Sequence, residues 1–255
     1  MMKAGLCSVT FRKLSVQEII ELAKGNGLSC IEWGSDLHVP ETYLKNAEAV
    51  GNLTRAAGLE CPSYGTYFKC RGGEDFSTYS LAAEKLGAET IRVWAGEQDA
   101  EAWSQEEYRA FVGRVQGYAG LAHERGQTIA FEFHFGTFNN SAERALQLLG
   151  DIDRENVKTY FQPMYWKDVC GEEEIQANLQ AIKKLQGRIA NVHVYRWKGF
   201  ERFALSEGER DWREYIKAIG NANYYLEFVK NDDPLQFQSD CAVLQKLLTE
   251  GKSAV

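Results

Sequence analysis

The sequence predicts an α/β protein folded as a single (β/α)8 TIM barrel over residues 1–255, on three observations. Helical patterns alternate with β-rich apolar runs, eight of each; most helix-to-strand junctions carry a glycine; and polar side chains collect where the strands end. Such alternation requires parallel strands joined by crossover helices, and eight of them close into a barrel whose C-terminal rim gathers side chains from different strands. A chain of 255 residues, 44% hydrophobic and 25% charged, suits one core of this size.

The elements follow in order. The run AGLCSVTF forms the first strand, roughly residues 3–10, and Ser15-Val-Gln-Glu18 reads as a capping box opening a helix whose apolar stripe includes Ile19, Ile20 and Ala23. The junctions KGNGLSCIEW, AAGLECPSY and KLGAETIRVW lead into strands two to four, at 28–34, 59–65 and 89–95. A second capping box, Ser104-Gln-Glu-Glu107, precedes a stripe of Phe111, Val115 and Tyr118. ERGQTIAFEF then opens strand five (128–135), VKTYFQP carries strand six (157–162), and LQGRIANVHVY and IGNANYYLEF supply strands seven (189–195) and eight (223–229). At these junctions glycine provides the left-handed C-cap that releases helix into strand. Asp233-Pro234 marks the last helix start, an N-cap before proline at the first helical position. An open doubly wound sheet is the competing fold, but CSVTFRKLS lacks the G-x-G-x-x-G loop expected after its first strand.

Composition narrows the function classes. A net charge of −7 argues against nucleic acid as the main partner. No apolar stretch approaches the roughly 18 residues that span a bilayer, and MMKAGLCSVTFRK lacks a signal peptide's apolar segment, so the expectation is a cytoplasmic protein without a membrane partner. The six cysteines (Cys7, Cys30, Cys61, Cys70, Cys170, Cys241) contain no C-x-x-C pair and suit reduced core thiols.

Four strand ends each carry one ligand-capable residue in an apolar run: Glu132 in IAFEFHF, Gln162 in VKTYFQP, His193 in IANVHVY and Glu227 in YYLEFV, at spacings of 30, 31 and 34 residues. Burying such groups costs several kcal/mol unless they are paired or bound to metal, so one shared site is the simplest explanation. A buried ion pair of Glu132 or Glu227 with Arg92 or Lys230 is the bland alternative. Around them stand residues suited to a polyhydroxylated small molecule, a carbohydrate: Arg12, Trp33, Tyr64, Tyr67, Arg92, Trp94, His134, Tyr195 and Lys230 as substrate contacts, with Glu32, Ser63, Tyr165, Trp166 and Trp197 in the same strand-end segments. His38 is a candidate acid/base or a loop cap. His134 follows Glu132 by two residues and shares its face. His123 lies in a helix and is expected at the surface.

The late Glu, polar, His, Glu series resembles that of the xylose-isomerase-like TIM-barrel superfamily, and IEWGSDLHVP, PSYGTYFK and VHVYRW are similar to members described as sugar phosphate isomerase/epimerase. The resemblance spans essentially the whole chain. It implies one divalent ion (Mn²⁺, Mg²⁺, Co²⁺ or Zn²⁺) held by Glu132, the sixth-strand residue, His193 and Glu227. The sixth-strand ligand of the family is usually Asp in a D-P-G-H-like turn; here the chain reads Gln162-Pro-Met-Tyr-Trp. An amide keeps a carbonyl oxygen for a hard cation and removes one negative charge, so weaker metal binding is expected.

The expected function is a metal-dependent sugar isomerase or epimerase, with Glu132 and Glu227 moving a proton through an enediolate. Loss of a β-hydroxyl or of carboxylate from the same enolate makes a dehydratase or decarboxylase the alternative, and a sugar-binding barrel without catalysis a third reading. A DNA-repair endonuclease on this barrel would need more than four histidines and a basic surface. The 17-residue segment RWKGFERFALSEGERDW after strand seven reads as a lid, or as a contact with a second copy in a homo-oligomer.

Overall fold

The computed structural model describes residues 2–163 and 171–252. Its centre is a closed, all-parallel barrel of β1 (Lys3–Cys7), β2 (Cys30–Gly34), β3 (Glu60–Gly65), β4 (Thr90–Val93), β5 (Thr128–Phe131), β6 (Val157–Phe161), β7 (Ile189–Val194) and β10 (Asn223–Leu226). β10 closes the ring by pairing with both β7 and β1. The intervening β8 (Trp197–Lys198) and β9 (Glu201–Arg202) form a short antiparallel hairpin outside the barrel. Among the described residues eight α-helices follow the strands: α1 (Val16–Gly25), α2 (Leu44–Ala56), α3 (Phe76–Leu86), α4 (Gln105–Glu124), α5 (Ala142–Ile152), α6 (Glu172–Lys184), α7 (Glu209–Ile219) and α8 (Pro234–Lys252). None of them is long and apolar enough to cross a membrane.

The local signals act as expected. Ser15–Glu18 and Ser104–Glu107 form reciprocal capping boxes, and Asp233 Oδ1 accepts from the Leu235 amide at the start of α8. His123 is exposed on α4, and the five cysteines in the described residues are free and buried, while Cys170, Tyr165 and Trp166 lie outside them. The strands end earlier than the apolar runs suggest. β5 stops at Phe131 and β10 at Leu226, although one further amide from each, Glu132 N to Val93 O and Glu227 N to Val194 O, continues the ladder. The next residues peel outward into the βα loops.

Strand alternation sorts the side chains. Leu6, Ile31, Trp33, Tyr64, Ile91, Val93, Ile129, Phe131, Phe161, Val192, Val194, Tyr224 and Leu226 join the helices in one apolar layer. The opposite faces fill the barrel with Cys7, Glu32, Ser63, Arg92, Glu132, Tyr160, Asn191, His193, Tyr225 and Glu227, all buried. Two glycines make room for this filling: a Cβ on Gly5 would lie 2.6 Å from the Tyr225 ring, and one on Gly65 would lie 2.9 Å from Glu32 Oε1 and 3.0 Å from Arg92 Nη2.

The segment after β7 is more ordered than a loop. The hairpin spans 197–202, a 3-10 turn covers Leu205–Gly208 with the Leu205 amide bonded to Asp240, and α7 begins at Glu209. Arg196 closes the unit by pairing with Asp211 at 2.8 Å.

Candidate functional site

Four barrel strands deliver Glu132, Gln162, His193 and Glu227 to one place at the C-terminal end. Ligand atoms of Glu132, His193 and Glu227 all lie within 4.8 Å of one another. His193 Nδ1 stands 3.0 Å from Gln162 Oε1 and 3.4 Å from Glu227 Oε2. Arg92 enters from β4, with Nη1 3.0 Å from Glu132 Oε2 and 4.0 Å from Glu227 Oε1. The contact is ionic rather than a directed hydrogen bond, since Glu132 Oε2, Arg92 Nε and Arg92 Nη2 are buried without a hydrogen-bond partner. Metal-ligand geometry and ion pairing therefore coexist here; Lys230 takes no part and stands 5.7 Å over the Phe203 ring.

Beneath this layer lies Glu32, fully buried on β2. Its Oε2 accepts from the Tyr160 hydroxyl at 2.6 Å and the Ser63 hydroxyl at 2.8 Å; its Oε1 lies 3.1 Å from His193 Nε2, 3.3 Å from Cys7 Sγ and 3.5 Å from Arg92 Nε. Asn191 Nδ2 donates to the Tyr160 hydroxyl. Burial opposes the charge on Glu32, yet Arg92, His193 and the hydrogen bonds from His193 and Tyr160 hold its carboxyl well below the usual range. Burial and the carboxylates of Glu132 and Glu32 push Glu227 up against the opposing pull of His193 and Arg92. For His193 burial favours the neutral ring, but Glu227 and Glu32 outweigh it and raise its pKa.

The charges test whether a cation fits. Glu32, Glu132 and Glu227 outnumber Arg92 by two in a buried region, an excess that protons on Glu227 and His193 offset when no metal is bound. A dication balances that excess, Glu132 Oε2 is an unused acceptor, and the oxygen and imidazole donors suit Mn²⁺, Zn²⁺ or a similar ion. The residues present fit a divalent metal held by Glu132, His193 and Glu227, with Gln162 Oε1 adjacent.

Above the carboxylates is a cavity of about 60 Å³, lined by Glu132, Gln162 and Glu227 below and by His134, Phe135, Tyr195, Trp197, Phe200 and Phe228 around its sides. The Trp94 ring packs at a tilt against His134, with centroids 4.8 Å apart, and against Tyr67 at 6.0 Å, whose ring lies 5.9 Å from the Arg92 guanidinium. Arg12 pairs with Asp36 at 2.7 Å and donates to the Tyr67 hydroxyl. Phe228 adopts a left-handed backbone (φ 52°), its amide bonded to Thr10 Oγ1, which turns the chain away directly after Glu227. A larger groove of about 520 Å³ beside Arg71, Trp103 and Arg114 contains none of the converging carboxylates.

Four expected site residues stand elsewhere in the structure. Trp33 and Tyr64 follow the inward-facing Glu32 and Ser63, so they point outward: Trp33 Nε1 donates to Thr54 Oγ1 and the Tyr64 hydroxyl to Val39 O, among the helices. His38 is a loop cap, its Nδ1 3.1 Å from Ser8 Oγ and Nε2 3.0 Å from Leu14 O, which leaves no ring nitrogen for substrate. Lys230, over Phe203, is outside the cavity lining.

Comparison with known proteins agrees with this architecture. The family model described as a xylose isomerase-like TIM barrel matches residues 20–247. A 3-dehydroshikimate dehydratase of Bacillus anthracis is 27% identical over 170 residues, 62% of this chain and 60% of that protein's length. Among solved structures, a probable 3-DHS dehydratase involved in petrobactin synthesis from the same organism superposes with a TM-score of 0.80 at 20% identity, covering 96% of this chain and 99% of that one. The IolI protein with a bound zinc atom superposes with a TM-score of 0.73 at 17% identity, covering 99% of each chain. At these identities the structural likenesses establish the fold alone.

Proposed function

We propose a function from one premise: this chain belongs to the xylose isomerase-like TIM barrel family. It is a metal-dependent enzyme that removes a proton from the carbon beside a carbonyl group in a small polyhydroxylated substrate. The observation that carries this reading is the convergence of Glu132, His193 and Glu227, with ligand atoms within 4.8 Å of one another, at an aromatic-walled cavity.

When bound, a divalent cation supplies Lewis-acid polarisation of the carbonyl and neighbouring hydroxyl oxygens. The chain's own residues do the rest. Glu132 and Glu227 directly follow β5 and β10 and line the same cavity, and either carboxylate can accept the proton while the other returns one. Arg92 keeps Glu132 paired with a positive charge. Trp197, Tyr195 and Phe228 supply apolar walls for the C–H faces of the substrate and exclude water.

Dehydration is the outcome best supported. Glu227 lines the same cavity as Glu132 and can deliver a proton to a departing β-hydroxyl: the C–H electron pair forms the new double bond, the C–O bond breaks, and water leaves. The resemblance to a 3-dehydroshikimate dehydratase points the same way. Isomerisation or epimerisation is the second reading, favoured by the two carboxylates, Glu132 and Glu227, that line one cavity. Mn²⁺-loaded protein should be offered 3-dehydroshikimate and a set of ketoses in D₂O. Growth of near-ultraviolet absorbance from a conjugated product supports elimination, and deuterium beside the carbonyl of an isomer supports proton return. Neither signal on any substrate, from protein with one bound metal, would sink the enzyme assignment.

A further inference from the structure

We propose that Glu32 is the positioning residue of the metal site, holding the His193 ring so that Nε2 carries the proton and Nδ1 presents its lone pair to the cation. This rests on the metal reading above and adds a residue that does not itself touch the metal.

The geometry is directional. Glu32 Oε1 lies 3.1 Å from His193 Nε2, on the side of the ring opposite Nδ1, which faces Gln162 and Glu227. A carboxylate can only accept, so the proton it engages must be on Nε2; when a cation takes the place of a proton at Nδ1, the ring is neutral and its Nδ1 lone pair faces the cation. Glu32 is itself immobilised. Tyr160 and Ser63 donate to its other oxygen from β6 and β3, Asn191 on β7 donates to Tyr160, and the 5.0 Å contact of the Tyr160 and His193 rings fixes the imidazole plane. Substitution of such supporting partners costs roughly 10–100-fold in metal affinity.

Cys7, Glu32 and His193 also offer converging ligand atoms, but they do not form a second cation site. The Cys7 thiol and the His193 Nε2–H both donate to the same Glu32 Oε1, so this oxygen is already satisfied by two donors. Glu32 serves the layer above it.

The test uses the whole protein loaded with Zn²⁺. In the wild type, ¹H–¹⁵N correlation spectra should show a slowly exchanging Nε2 proton on His193 and a metal-shifted Nδ1. In Glu32→Ala, the Nε2 proton signal should be lost and Zn²⁺ affinity, measured against a chelating dye, should fall about 10–100-fold; Glu32→Asp should recover part of it. The tautomer separates orientation from the loss of one negative charge. A merely structural role would lower thermal stability while leaving affinity per folded molecule and the Nε2 signal unmoved, and a folded variant with affinity within about twofold of wild type would overturn the proposal. Should Glu32→Ala not fold, the nearly isosteric Glu32→Gln takes its place, with one carbonyl facing four donors. A wild type that binds no Zn²⁺ yet shows the Nε2 proton would overturn the metal reading and leave the pairing of Glu32 with His193 standing; absence of that proton overturns the pairing.

Discussion

Arg92 Nη1 lies 3.0 Å from Glu132 Oε2 at the bottom of the candidate site, a guanidinium 2% exposed set among three carboxylates. A cation locked into a metal-type ligand set has a double effect: it lets the carboxylates stay buried when no metal is bound, and it competes with the metal for them. Burial alone would favour a neutral guanidine, but Glu132 and Glu32 outweigh it and push the Arg92 pKa further up, so this charge is permanent.

Arg92→Met is therefore expected to destabilise the metal-free protein by about 3–5 kcal/mol, the usual result of removing one partner from a buried charged cluster. Saturating Mn²⁺ should recover part of that loss. Urea unfolding with and without metal measures both, and a loss below about 1 kcal/mol in metal-free buffer would show that the carboxylates do not depend on Arg92.

Gln162→Glu keeps the length of the side chain and adds a fourth carboxylate to the site. Charge count tunes affinity for hard cations, so divalent metal should bind about tenfold more tightly or better. The same substitution should lower the stability of the metal-free protein, because the added charge has no new counter-ion. Opposite signs in dye competition and in metal-free unfolding are the expected result; weaker metal binding would exclude this position as a ligand.

What the sequence disclosed and concealed has a physical pattern. The barrel was readable because each glycine turn and capping box is a local signal, and Glu132, His193 and Glu227 stood out because each interrupts an apolar run. Glu32 sat in full view in CIEWG, yet its role depends on Tyr160, Ser63 and His193 from three other strands, a grouping that no spacing along the chain encodes. Trp33 and Tyr64 were misplaced because their residue types suit a sugar platform; the two-residue period, with Glu32 and Ser63 inward, puts them on the outer face. His38 needed the fold of the loop after β1, which brings Ser8 and Leu14 to it.

The hairpin is expected to admit substrate. A cavity of about 60 Å³ is far below the roughly 300–1,000 Å³ of sites that hold drug-sized ligands, and Gly199 and Phe200 form part of its wall. Phe200 is 84% exposed, so Phe200→Ala should change stability by no more than about 0.5 kcal/mol. If the hairpin opens and closes over substrate, KM should rise several-fold with the fold intact. Arg202, 5.0 Å from the Phe228 ring and 5.4 Å from Trp197, ties the hairpin to the wall, and Arg202→Ala should act in the same direction. Steady-state kinetics indistinguishable from wild type in both variants would show that the hairpin does not gate the site.

Glu132→Gln and Glu227→Gln test the proton transfer itself. Both substitutions are nearly isosteric and leave an oxygen for the metal, so circular dichroism should be unchanged and part of the metal retained. An amide cannot accept a proton at neutral pH, and the residue that removes the substrate proton should lose about 10²-fold or more in kcat when replaced. The two variants need not behave alike. Glu132 is held beside Arg92 with an oxygen lacking a hydrogen bond, whereas burial and neighbouring carboxylates push Glu227 toward its protonated form, so Glu132 is the expected base and Glu227 the expected donor. Solvent deuterium exchange into substrate should accordingly vanish in Glu132→Gln and persist in Glu227→Gln even where product formation is slow. Exchange surviving in Glu132→Gln and lost in Glu227→Gln would reverse the two roles, and undiminished turnover in both would remove them from the chemistry.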